Sequence, residues 1–123
     1  MNYDFEITLP NGSVFCVTKR PYLEKTLEHL SQYYEMLVFT AAEKEYADLI
    51  IDKIDPTKTF FKDRLYRDSC FKCEDAYIKD LRIISDRELE DIVIVDNSII
   101  SFCKQINNGI PICAFYSTNK FID

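Results

Sequence analysis

Two short runs of consecutive apolar residues stand out from a chain that elsewhere alternates or repeats. In Asp91-Ile92-Val93-Ile94-Val95-Asp96-Asn97-Ser98, four β-branched residues follow one another between polar ends. A run of this kind predicts a strand buried on both faces, as in a helix-covered parallel sheet. Glu35-Met36-Leu37-Val38-Phe39-Thr40 has the same form and also ends on a polar side chain. Between residues 3 and 18 the apolar positions alternate around Pro10-Asn11-Gly12-Ser13, and the Asn-Gly pair predicts a hairpin. Leu23, Leu27, Leu30 and Tyr34 recur at helical spacing and predict a helix over 21–34, with Pro21 as its first residue. A second helix is predicted over 43–54, with Tyr46, Leu49, Ile50, Lys53 and Ile54 as its inner stripe.

The remaining segments are shorter. Phe60-Phe61 and Arg64-Leu65-Tyr66 suggest a third strand region, and the polar stretch 67–77 suits an excursion near a site. A loop or short turn is expected over 86–89. A short helix is expected over 98–105, closed by Asn107-Asn108-Gly109. A last strand is expected over 110–115, with Pro111 marking an edge. Alternation of strand and helix gives an α/β fold in one domain spanning 1–123.

Composition narrows the function. A net charge of −6 argues against direct binding of nucleic acid or of an anionic membrane surface. No apolar run is long enough to cross a membrane, and no signal peptide is visible after Met1. The cysteines are five, an odd number, which points to reduced thiols in an intracellular compartment. Cys70-x-x-Cys73 alone lacks the further ligands a zinc site needs, and His29, the single histidine, falls within a helical pattern.

In open parallel sheets, ligands bind beyond the carboxyl ends of the strands. There the pattern brings Thr40 and Asp96-Asn97 to one rim, with Lys79 in reach. A hydroxyl, an ammonium and oxygen donors for a hard cation such as Mg²⁺ are what a phosphoryl group requires. Asp96 and Ser98 fit equally well as caps of the following helix.

Lys19-Arg20-Pro21, Leu37-Val38-Phe39-Thr40-Ala41, Tyr46-Ala47-Asp48, Leu65-Tyr66-Arg67-Asp68-Ser69-Cys70, Tyr77-Ile78-Lys79-Asp80-Leu81 and Ile94-Val95-Asp96-Asn97-Ser98 follow in an order and spacing that resembles one family. These are the small CTD phosphatases, or NLI-interacting-factor-like phosphatases, of the haloacid dehalogenase superfamily. The resemblance implies a Rossmannoid three-layer α/β sandwich on a parallel sheet, plus the hairpin near the amino end. It implies a Mg²⁺-dependent protein serine/threonine phosphatase working through an aspartyl phosphate. Thr40 would hold the phosphoryl group, Lys79 would neutralise it, and Asn97 with Asp96 would bind Mg²⁺, Asp96 also standing among the catalytic residues. Tyr46 and Arg67 would line the substrate entrance, although Tyr46 also fits the helix stripe and Arg67 a solvated surface charge.

The chain departs from that family at its first motif. The Asp-x-Asp-x-Thr/Val sequence that supplies nucleophile and general acid is absent, and Asp4-Phe5-Glu6 falls in the hairpin instead. The resemblance therefore implies an amino-terminally truncated domain without its first core strand, and without a last helix after Phe121. The strands ending at Thr40 and Asp96 would then either pair with each other or leave the chain marginally stable. Loss of a nucleophile costs on the order of 10⁶-fold in rate, and loss of a general acid roughly 10² to 10⁴ more. Mg²⁺ binding would weaken with the lost carboxylate.

Three functions stay open. The first is a phosphatase, or a piece of one, acting on phosphoserine or phosphothreonine of a protein such as an RNA polymerase II tail in nucleus or cytoplasm. The second is an inactive pseudophosphatase that binds a phosphoprotein or partner, including the mitochondrial import receptor branch at the inner membrane. The third is a small-molecule phosphatase.

Overall fold

A computed structural model describes residues 2–116. The described residues form eight short strands and two α-helices, in a mixed α/β arrangement with both parallel and antiparallel pairs. Strands β1 (Phe5–Thr8) and β2 (Val14–Val17) make the hairpin the Asn-Gly pair predicts, in the register Phe5 opposite Val17 and Thr8 opposite Val14. Gly12 takes φ 89° in its turn, and Asn11 Oδ1 accepts the Ser13 N–H at 2.9 Å. A left-handed residue there is cheap only because glycine lacks Cβ.

Helix α1 covers Leu23–Leu30, shorter at both ends than the periodicity suggested. Tyr22 sits at φ 67°, so Pro21 belongs to a preceding turn and not to the helix. At the other end Tyr33 bonds back to Leu30 O at 3.0 Å, and Tyr34 points out at 66% exposure as the chain turns into β3.

Strand β3 (Met36–Phe39), helix α2 (Lys44–Ile54) and strand β4 (Phe61–Leu65) form a parallel crossover unit. The line that α2 buries is Ala47 and Ile51; Lys53, placed on the inner stripe by periodicity, is exposed. Asp55 closes the unit. It is 1% exposed, and its carboxylate accepts N–H bonds from Thr59, Phe60 and Phe61 at 2.9 to 3.2 Å. Burial alone would push that carboxyl up, but the backbone donors outweigh it and hold it below the usual value.

The polar stretch after β4 folds into a 3₁₀ turn (Arg67–Ser69) and a small hairpin of β5 (Phe71–Cys73) and β6 (Ala76–Ile78). Strand β7 (Ile94–Asp96) pairs in parallel with β8 (Gly109–Pro111). They are joined by an irregular 3₁₀ segment, Ile99–Asn108, kinked at Phe102 and Gln105, where a regular helix was expected. Strand β8 stops at Pro111, short of the expected residue 115. Leu81, Ile94 and Phe102 form the core here, with Ile92 against them.

One expectation fails here, and of the two alternatives for the strands ending at Thr40 and Asp96, direct pairing is not the one formed. Strand β7 is buried on one face only: Ile94 and Asp96 are inside, whereas Val93 and Val95 are 61% and 54% exposed. The strands also form four separate two-stranded sheets, so β3 and β7 do not pair. Each therefore keeps one edge without a strand neighbour among the described residues. The expected lack of a last helix after Phe121 concerns positions outside the described residues.

Candidate functional site

Thr40 follows directly on β3, and its N–H extends the parallel ladder to Leu65 O at 2.8 Å. Its Oγ1 accepts the Ala42 N–H at 3.0 Å, which leaves the hydroxyl proton free to donate elsewhere. Lys79 follows directly on β6 and is tied by its own N–H to Ser101 O at 2.7 Å. Asp96 is the last residue of β7.

Lys79 Nζ donates to Asp96 Oδ2 at 2.5 Å, and both residues are 9% exposed. The other oxygen, Asp96 Oδ1, accepts the Ser98 N–H at 2.9 Å. Asp96 therefore fixes the lysine and also makes the capping turn. An ammonium has three donors, and this bond uses one. The remaining N–H bonds act where the local dielectric is low and charge counts for more. Asn97 beside it is exposed.

Cys70 lies against the backbone of Thr40, and no sequence pattern singled it out for that place. Its single S–H has two backbone acceptors in reach, Thr40 O at 3.7 Å and Tyr66 O at 3.8 Å. Burial raises its pKa; the nearby charges of Lys79 and Arg67 pull the other way without prevailing. The thiol packs against the loop after β3.

Arg67 is not a free surface charge. Its Nε donates to Ala41 O at 2.7 Å, its backbone N–H to Ala42 O at 3.0 Å, and its guanidinium pairs with Glu43 at 3.1 Å. It clasps the loop that carries Thr40, and its guanidinium carbon lies 4.8 Å from the centre of the Tyr77 ring. Tyr46 goes elsewhere. On α2 it meets Phe15 of β2 edge-to-face, with ring centres 5.4 Å apart, so it joins helix to hairpin. That contact fits the helix-stripe alternative.

The chain's own donors do not complete a divalent-cation site. Asp96 and Asn97 offer oxygens, but both Asp96 oxygens already hold hydrogen bonds. Among the described residues no group of three His, Cys, Asp or Glu side chains could hold a metal ion. The Cys70 and Cys73 thiols are free. No helix among the described residues is long and apolar enough to cross a membrane.

Comparison with known proteins gives one consistent answer. A family model described as NLI interacting factor-like phosphatase matches residues 1–121. The chain is 43% identical to CTD small phosphatase-like protein 2 of Dictyostelium discoideum over 98 residues, covering 80% of this chain and 17% of that protein. It is 41% identical over 103 residues to CTD nuclear envelope phosphatase 1B of Danio rerio, covering 84% and 42%. It is 35% identical over 111 residues to nuclear envelope morphology protein 1 of Saccharomyces cerevisiae, covering 81% and 25%. The chain thus spans less than half the length of each of these relatives.

Proposed function

The chain belongs to the NLI interacting factor-like phosphatase family, and we propose that it supplies the phosphate-holding half of a haloacid dehalogenase-like serine/threonine phosphatase, without the nucleophile. The observation that carries this is the buried Lys79–Asp96 pair at the carboxyl end of β7. In this reading the Thr40 hydroxyl and the spare donors of Lys79 bind the oxygens of a phosphoserine or phosphothreonine on a protein. An RNA polymerase II tail is one candidate. Asp96 positions Lys79, and Arg67 holds the Thr40 loop in place. Asn97 and Asp96 are offered to Mg²⁺, a site that needs further oxygen donors and supplies charge neutralisation when complete.

No Asp-x-Asp pair occurs anywhere in the 123 residues, so this chain taken alone binds and does not hydrolyse. That is the function of the second reading, an inactive phosphoprotein-binding module. Strands β3 and β7 each keep one edge without a strand neighbour among the described residues, and Val93 and Val95 are exposed; in this reading one further strand pairs at those edges. A strand there would complete the superfamily's parallel sheet and bring a nucleophile to the same rim. Two of the relatives are named for the nuclear envelope, and we propose that membrane, or the nucleus and cytoplasm it separates, as the place of action. None of these names speaks for the mitochondrial alternative.

The test is titration of a fluorescent phosphoserine peptide into the chain, with free phosphate measured in the same samples. Saturable binding that Thr40→Val weakens several-fold, with no phosphate released, is the expected result. Equal affinity for the unphosphorylated peptide would overturn the proposal.

A further inference from the structure

We propose that Gln105 is a positioning residue of the phosphate site, whose side-chain amide fixes the backbone after Lys79 and so sets where the lysine ammonium meets a phosphate oxygen. This rests on the phosphate-holding role of Lys79 and adds to it the device that aims the lysine.

Lys79 lies in no regular element. Strand β6 ends at Ile78, where its ladder to β5 also ends, and a 3₁₀ turn begins at Leu81. Asp96 holds only the tip of the side chain, at Nζ. A backbone free to shift would let that pair form in more than one place, so the bond alone does not aim the ammonium. The backbone is held from the irregular segment Ile99–Asn108, whose buried residues are Ser101, Phe102 and Gln105. Ser101 O accepts the Lys79 N–H at 2.7 Å. Gln105 Oε1 accepts the Leu81 N–H at 3.0 Å, and Gln105 Nε2 donates to Asp80 Oδ1 at 2.8 Å. Phe102 packs with Leu81 in the core.

The two groups that Gln105 meets call for an amide. The Leu81 N–H can only donate and an ionised Asp80 can only accept, so their shared partner needs one acceptor and one donor. The Arg82 guanidinium, joined by the Arg82 N–H and Gln105, outweighs burial and holds the Asp80 carboxyl well below the usual carboxylate range. A glutamate at 105 would set a second carboxylate against it. Gln105 is 9% exposed, and its backbone leaves the helical region at φ −134° and ψ 63°. The same segment starts from Asp96. Asp96 Oδ1 accepts the Ser98 N–H at 2.9 Å, and Ser98 O accepts the Ser101 N–H at 3.1 Å. Both members of the Lys79–Asp96 pair are therefore anchored to one stretch of chain, and Gln105 closes its far end.

The test titrates a fluorescent phosphoserine peptide, and its unphosphorylated form, against the native 123-residue chain and three variants, read by anisotropy. Gln105→Leu removes both bonds at similar volume and should weaken phosphopeptide binding about tenfold. Asp55→Ala strands backbone donors at Thr59, Phe60 and Phe61 instead, and should stay within about twofold of the native chain, which separates aim from general loosening. Gln105→Glu keeps the shape and the acceptor for Leu81, and it decides the matter if Gln105→Leu does not fold. At pH 7 it should bind several-fold more weakly than the native chain. That deficit should narrow at about pH 5, because the facing Asp80 raises the pKa of the introduced carboxyl, and once protonated it donates to Asp80 as the amide does. Native affinity in folded Gln105→Leu or in Gln105→Glu at pH 7, a Gln105→Glu deficit that does not narrow, or an equal loss in Asp55→Ala overturns the positioning role alone. Equal binding of the two peptides by the native chain overturns the phosphate-holding role beneath it.

Discussion

Replacing Lys79 with methionine keeps most of the stem and removes the charge. Asp96 would then be a carboxylate at 9% exposure with one remaining bond, from the Ser98 N–H at 2.9 Å. Breaking a buried pair from one side costs about 3–5 kcal/mol, because the surviving charge has no water and no partner. The pair sits at a strand end near the rim, which favours the low end, about 3 kcal/mol. Domains of this size hold about 5–15 kcal/mol in all, so the loss is severe. With a urea m-value of about 1.5 kcal/mol/M, the midpoint should fall by about 2 M. Removing both charges tells a different story. In Lys79→Met/Asp96→Leu no charge is stranded, and only the Ser98 N–H loses its acceptor, at about 1 kcal/mol. The double variant should therefore be more stable than Lys79→Met by about 2 kcal/mol, yet bind no phosphopeptide. Urea denaturation at pH 7 followed by circular dichroism measures the native chain, Lys79→Met, Asp96→Leu and the double variant. A cost below about 1 kcal/mol for Lys79→Met, or simple additivity of the two single changes, would refute the buried-pair account.

Other perturbations reach the scaffold of the site. A Cβ on Gly109 would lie 2.1 Å from two carbons of the Phe102 ring, which is 1% exposed; Gly109→Ala should cost about 3 kcal/mol by overpacking, and Phe102→Leu in the same chain should recover part of it in a thermal melt. Asp55→Ala strands three backbone donors and should cost about 2–4 kcal/mol by the same assay, an outcome under 1 kcal/mol telling against the staple. Asp48 is pushed up by burial, but hydrogen bonds from Lys44, Tyr66 and Arg64 prevail and lower its carboxyl to about 2. A folded value below the unfolded one stabilises above about pH 4 and is lost as pH falls towards 2. Its contribution is of order 1 kcal/mol once solvent screening is allowed for, so Asp48→Asn should flatten the stability loss between pH 4 and 2 by that amount.

The elements with a strong local signal were legible in the sequence. Asn11-Gly12 announced the first hairpin, and the apolar runs ending at Thr40 and Asp96 announced the two strands that carry the site. The family's motifs, read in register, picked out Lys79, which the structure pairs with Asp96. What stayed hidden depends on partners distant in sequence. The β5–β6 hairpin has three-residue strands, too short for a period, and turns at Glu74 with φ 55° instead of at a glycine. Asp55 is satisfied by backbone N–H groups, which every sequence has. Cys70 read as one thiol of a Cys-x-x-Cys pair, and only the fold sets it against Thr40 and Tyr66. Tyr46 matched a motif and a helix stripe at once, and its contact with Phe15 is of the second kind. The run Ile92-Val93-Ile94-Val95 has the composition of a strand covered twice, but among the described residues it is covered once.

The most direct test extends the chain at its amino end by an apolar strand that finishes in Asp-x-Asp-x-Thr, and compares Mg²⁺-dependent phosphate release from a phosphoserine peptide with and without the extension. The account predicts no release by the 123 residues alone, release by the extended chain, and its loss on Lys79→Met. Release by the unextended chain that depends on Lys79 would contradict it.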